Sequence, residues 1–225
     1  KNSQSLSLKE KTQAGVELIG SDNLESDLEM ILLLIKTMKK VGVEEPLVDI
    51  GHADLINEIF SDLKINEEAK KELRKLLAAK NKIGIKNYIK KIDLADNTAE
   101  ILLRLPSLFG NPQQVIKELN KMPLSAETGH VLKTLEKLFN KLAEFDSLKY
   151  ITFDPMLISR HGYYTGLIFK GYARGYSNLL ASGGRYDNLT EKFGVEEAAV
   201  GFALEIENLL DFLNRTGNFN EDTVQ

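Results

Sequence analysis

Cysteine is absent from the 225 residues. That excludes disulfides and thiolate metal sites, and it fits a chain working in a reducing, cytoplasmic setting. No run of about 18 apolar residues occurs, so no membrane-spanning helix is expected. Residues 1–10 lack the apolar core of a secretory signal. No sign of charge dominates: the formal net charge is −4, which gives no whole-chain attraction to nucleic acid. A P-loop, a dinucleotide-binding glycine pattern and paired-histidine zinc spacing are all missing. The three histidines, His52, His130 and His161, stand far apart without ligand-like neighbours. Each is expected to be a core or surface residue, and no metal or cofactor is expected.

What is present is the balance of a globular protein, 43% apolar and 28% charged,. There is one local excess: between positions 61 and 92, ten lysines and arginines face four acids. Solvated helix faces account for such a run more simply than a nucleic-acid patch does.

The pattern begins with a strand over 12–19, ending at Gly20. A helix follows, with Asp22 and Glu25 at capping-box spacing and an apolar stripe of Leu24, Leu28, Ile31, Leu32, Ile35 and Met38. Lys36, Lys39 and Lys40 suit its C-terminal dipole, and Gly42 suits its stop. Residues 46–50 form a buried strand, with Gly51 as a turn. Residues 53–145 are helical, with breaks at Asn66, Asn81, Pro106, Pro112 and Pro123. The last helix, 126–145, has Val131, Leu135, Leu138 and Leu142 on one face. Short β-rich runs follow at 150–153, 163–172, 178–181 and 198–206, with a short helix after Gly184 and another ending near Asn214. Strands in succession without βαβ alternation imply an antiparallel sheet and an α+β fold. The expected division is 1–62 and 147–215 as two parts of one domain, 63–146 as a helical block between them, and 216–225 as a frayed tail.

Three clusters carry possible chemistry. Gln13 and Glu17 lie four apart on an extended run and so share a face. Polar groups on a buried sheet cost energy unless paired, so they form either a satisfied network at a sheet edge or a ligand site. Tyr163 and Tyr164 point to opposite faces of their strand, which aims one of them at a pocket or makes both of them core or rim aromatics. In Ser182-Gly183-Gly184-Arg185-Tyr186-Asp187, paired glycines before a helix allow a tight turn and close backbone approach.

In this order, Gln13-Ala14-Gly15-Val16-Glu17-Leu18-Ile19-Gly20, Tyr163-Tyr164-Thr165-Gly166, Ser182 to Asp187 and Ala199-Val200-Gly201-Phe202-Ala203-Leu204 resemble the histidyl-tRNA synthetase family. Arg104-Leu105-Pro106, Leu108-Phe109-Gly110, Asp49-Ile50-Gly51-His52 and Leu180-Ala181 before Ser182 resemble its branch of ATP phosphoribosyltransferase regulatory subunits. The resemblance implies the class II synthetase fold, an antiparallel sheet flanked by helices, here with a helical insertion. It implies that Gln13 holds the amino group of histidine, and that Glu17 and Tyr164 face the imidazole, with Tyr163 beside them. A carboxylate and a phenol satisfy both ring nitrogens, whichever tautomer binds.

Departures from the family pattern point away from catalysis. The arginine of the family's last motif is Asn208 here and a glycine has become Glu205, so a carboxylate stands where cations are needed on ATP phosphates. The family's Arg-Gly-Leu-Asp is Ser159-Arg160-His161-Gly162. Arg160 is thus a candidate for the histidine site that is one residue out of register, which on a strand points it to the other face. The family's first motif and its C-terminal anticodon-binding domain are not in the sequence, so the chain is expected to be a fragment or part of a longer protein. The resemblance therefore implies a regulatory protein with no catalytic residues. Its partner is the short ATP phosphoribosyltransferase catalytic subunit, its effector is histidine, and it forms a homodimer within a hetero-oligomer. No nucleic acid or membrane is involved. The rival is an enzyme: a histidyl-tRNA synthetase core or a related adenylating protein.

Overall fold

The structure, a computed structural model, describes residues 11–61, 63, 65–92, 94, 96–157 and 163–217. Six strands form one sheet in the order β1-β6-β5-β4-β2-β3. They are β1 (Gln13–Ile19), β2 (Pro46–His52), β3 (Ile151–Phe153), β4 (Leu167–Ala173), β5 (Tyr176–Arg185) and β6 (Ala199–Glu205). Between β1 and β2 runs α1 (Leu24–Lys40). Between β2 and β3 lie α2 (Ala53–Ser61), α3 (Glu67–Ala78), α4 (Lys82–Lys91), α5 (Asp96–Arg104), α6 (Pro112–Leu119) and α7 (Ala126–Glu144). The last described helix is α8 (Ile206–Thr216). No helix among the described residues is long and apolar enough to cross a membrane.

The α+β expectation holds, and the sheet is mostly antiparallel, but β2 and β3 run parallel. A long helical crossover joins them, which is the connection that parallel neighbours require. Helix starts follow capping chemistry: Asn66, Asn81, Asn111 and Ser125 each accept a bond from the amide three residues on,. For α1 the cap is Asn23, which accepts from Ser26 N at 2.9 Å, and not Asp22. Gly42 ends α1 at φ +97°, a left-handed position that glycine takes without strain. Gly51 is not a turn. It lies within β2, paired with Ile168, and a Cβ there would meet Leu157 Cβ at 2.6 Å.

Ile31, Leu34 and Met38 of α1 are fully buried against one face of the sheet, with Phe169, Val200 and Phe202. The helical run is tied to the β3 edge, at the far side of the sheet from β1. Gly110 and Phe153 exchange two backbone bonds of 3.2 and 2.9 Å, and the Phe139 and Phe153 rings lie 5.3 Å apart. In α7, Leu132 and Phe139 are buried together with Leu135, Leu138 and Leu142.

Candidate ligand-binding site

A Cβ on Gly171 would meet Met38 Sδ at 2.9 Å, so odd-numbered positions of β4 face α1. The even positions Ile168, Lys170 and Tyr172 face away from it, because successive strand residues alternate. Strand pairing extends this second face into continuous rows. One row runs Glu17, Gly201, Gly184, Ile168, Gly51. The next runs Gly15, Ala203, Ser182, Lys170, Asp49, Thr152. A third begins with Gln13 and Glu205.

The glycines of the first row make a floor on which larger groups lie flat. Glu17 covers Gly201, and the Tyr164 ring covers Gly184, where a Cβ would lie 2.7 Å from Tyr164 Cδ1. Tyr186 donates its hydroxyl to Glu17. Tyr163 donates to Tyr164 at 3.3 Å, with ring centroids 4.5 Å apart. Burial, then the bond from Tyr163, holds the Tyr164 phenol well above the ordinary tyrosine range. Burial, then the bond to Glu17, does the same for Tyr186. Both are neutral donors at physiological pH.

Beside this cluster is a cavity of about 550 Å³, bounded by Gln13, Tyr163, Tyr164 and Lys11, by Lys170 and Tyr172 of β4, and by Ser182 and Glu205. The structure thus brings Gln13, Tyr163 and Tyr164 to one cavity. Glu17 is not among its lining residues. Four residues along a strand is about 13 Å, which carries Glu17 past the cavity to Tyr186. β1 is an exposed edge strand rather than a buried one, and its polar side chains are both paired and open. Gln13 Nε2 donates to Glu205 Oε1 at 2.8 Å.

Two other expectations are corrected. Tyr163 and Tyr164 precede β4 instead of lying on it, and their rings stack together rather than pointing to opposite faces. Gly183 and Gly184 do not make a turn before a helix, because they lie within β5. Their missing side chains make room for the Phe169 and Tyr164 rings, a need set across the sheet rather than along the chain. Arg160, Ser159 and His161 lie outside the described residues, as does the tail after residue 217.

The Arg185 and Asp187 pair holds the site's frame. Arg185 is 7% exposed. It donates to Asp27 at 3.0 Å, Ser21 O at 3.0 Å, Ser26 Oγ at 2.9 Å and Asp187 at 3.1 Å. Asp187 also accepts from Thr165 Oγ1 at 3.2 Å and Ala199 N at 3.0 Å. β5, the start of α1, the tyrosine segment and β6 are thereby locked together. His52 lies near this guanidinium, and its Nδ1 has no hydrogen-bond partner among the described residues. Burial, then Arg185, holds its pKa down to about 4, so it is neutral at physiological pH. His130 is exposed on α7.

At the other end, Glu205 is 8% exposed. Asn208 Nδ2 donates to Leu179 O at 2.8 Å, so Asn208 is spent on the backbone. Among the described residues no group of three or more metal-binding side chains comes together. Sequence reasoning missed Tyr186 and Lys170 as site residues. Lys170 had a signal, a lone charge in the apolar run Leu167–Ala173, which a central strand tolerates only for a reason.

The histidyl-tRNA synthetase family model matches residues 1–209. A protein of Caldanaerobacter subterraneus subsp. tengcongensis named ATP phosphoribosyltransferase regulatory subunit is 38% identical over 208 residues, 92% of this chain and 54% of that protein. A solved ATP phosphoribosyltransferase regulatory subunit/histidyl-tRNA synthetase from Bacillus halodurans C superposes with a TM-score of 0.82 at 34% identity, covering 88% of this chain and 52% of that one. The histidyl-tRNA synthetase of Nostoc sp. PCC 7120 shares the fold at 20% identity and a TM-score of 0.77, covering 93% of this chain and 52% of that one. The chain spans about half the length of the curated relatives it matches.

Proposed function

This chain belongs to the histidyl-tRNA synthetase family, and from that membership we propose that it is the sensing core of an ATP phosphoribosyltransferase regulatory subunit in histidine biosynthesis. In this reading it activates the short catalytic subunit and carries feedback by histidine, and it performs no aminoacylation. Histidine places its imidazole beside Glu17 and Tyr164, with Tyr186 completing the polar end, and its amino group toward Gln13. Arg160 stays a candidate contact. A site built to pair both imidazole nitrogens rejects amino acids that lack them. Histidine shifts the assembly by binding its inhibited state more tightly, and by linkage the substrates then weaken histidine. The protein acts in the cytoplasm, as a homodimer within a hetero-oligomer, without binding nucleic acid.

The observation that carries this reading is Glu205. Its buried carboxylate accepts from Gln13 and faces Lys11 Nζ at 4.0 Å. A phosphate arriving there meets an anion where adenylation needs preorganised positive charge. The names of the relatives support the same reading.

The test is twofold and uses the full-length protein. Histidine-dependent pyrophosphate–ATP exchange should not exceed a no-protein blank. Calorimetry should show histidine binding, alone or with the catalytic subunit. Exchange well above the blank in an independently purified sample would establish the enzyme reading instead.

A further inference from the structure

We propose that Lys170 is the cation that receives the carboxylate of the bound amino acid and so makes the site selective for a free amino acid over its ester. The inference rests on the sensor reading above and deepens it.

An α-amino acid has three polar ends. The side-chain end is provided for at Glu17, Tyr164 and Tyr186, and the amine at Gln13 beside Glu205. A carboxylate brought into the cavity needs a cation, since an unpaired buried charge is costly. Of the described residues lining the cavity, two are cations, Lys11 and Lys170. Lys11 has a side chain 67% exposed and faces Glu205, so it already lies beside an anion.

Lys170 sits on central strand β4, half-buried, between Ser182 on β5 and Asp49 on β2 in one cross-strand row. Among the described residues it forms no ion pair within 4 Å. Its cross-strand partner Asp49 has its pKa raised by burial and then by Asp154, with Lys80 and then Lys170 opposing them. Lys170 therefore lies on the cavity face with no carboxylate of the described residues within ion-pair distance. Ser182, its neighbour in the row, carries a hydroxyl that can donate to the second carboxylate oxygen. β4 and β1 are three strand spacings apart, about 14 Å. A lysine reaching in from one side and a glutamate from the other leave a span suited to one amino acid.

The experiment crosses protein with ligand. Full-length wild type, Lys170→Met and Lys170→Arg are titrated with histidine and with histidine methyl ester, which keeps the shape and removes the negative charge. Wild type should bind histidine about tenfold to hundredfold more tightly than the ester, the range of one charge-assisted hydrogen bond. Lys170→Met should lose that factor for histidine and leave the ester unchanged, while Lys170→Arg should keep most of the discrimination. Equal weakening of both ligands by Lys170→Met would make Lys170 a shaper of the pocket and overturn the inference. So would unchanged discrimination in that variant, with the sensor reading left standing. If wild type binds no histidine, alone or with the catalytic subunit, the sensor reading itself falls and takes the inference with it.

Discussion

Replacing Arg185 with Met should cost about 3 kcal/mol, the lower end of the range for stranding one partner of a buried ion pair. The structure shows where that cost falls. Asp187 keeps its bonds from Thr165 and Ala199, and Ser26 Oγ keeps its bond to Asn23 O at 2.6 Å. Asp27, which loses its 2.8 Å ion pair, is left as a mostly buried carboxylate without a cation. For a chain of this size 1 kcal/mol moves the melting point by about 2–4 °C, so the fall should be roughly 6–12 °C. The loss should also depend on pH. Burial raises the Asp27 pKa, with Arg185 opposing it, and removing the guanidinium raises it further. A raised folded-state pKa means that stability is full below the ordinary carboxylate value and declines as pH rises through the raised one. The gap between variant and wild type should therefore be small at about pH 4 and full at about pH 7.5. Asp27→Asn in the Arg185→Met background should recover much of it. Thermal and urea melts of the four proteins of this cycle at three pH values provide the measurement. A gap independent of pH, or strict additivity of the two substitutions, would refute the reasoning.

Other outcomes follow from the same geometry. Glu17→Gln should raise the histidine needed for half-inhibition of the reconstituted complex about tenfold to hundredfold, since a charge-assisted bond contributes about 1.5–3 kcal/mol. Tyr164→Phe should have a smaller effect, and neither should abolish activation; unchanged inhibition in both would place sensing elsewhere. Burial keeps the phenols of Tyr164 and Tyr186 protonated in the fold past the pH near 10 at which unfolded tyrosines ionise,. Stability should therefore decline as pH rises above about 10. In the folded protein part of the tyrosinate absorbance should appear late, and a single step near 10 for all seven tyrosines would contradict this. Charge reversal at Lys70, Lys71 and Lys75 should leave regulation nearly unchanged. Tight, salt-resistant binding of histidine tRNA would count against that, because purely electrostatic contacts weaken steeply with salt.

Local features were legible in the sequence. Gly20 and Gly42 ended their elements as expected, at φ +91° and +97°, and the expected breaks at Asn66 and Asn81 fall where those side chains cap the next helix. The errors are non-local or nearly degenerate. Asp22 and Asn23 are adjacent capping residues, and only the backbone decides which one accepts. The pair Gly183-Gly184 signals a turn along the chain, but the phenyl ring of Phe169 and the phenol of Tyr164 across the sheet are what require it. The direction of β3 beside β2 is set across the whole helical crossover, and alternation of side chains is blind to strand direction. Gln13 and Tyr164 were brought to one cavity by a family resemblance, since neither spacing nor periodicity links residues 13 and 164.

The pairing of β1 with β6 has a consequence for how the chain assembles. Gln13 meets Glu205, so the two ends of the described chain become neighbours, and until they do the cavity lacks the wall that Lys11 and Gln13 form. Such distant closure comes late, after its entropy cost can be offset by contacts already made. The helices between β2 and β3 can gather locally while the cavity is still absent. An effector seated between β1 and the tyrosine segment binds only the closed form and stabilises it by mass action. Its presence would then be read in the cohesion of the two ends, through slower strand separation at β1, as well as in the output of a partner.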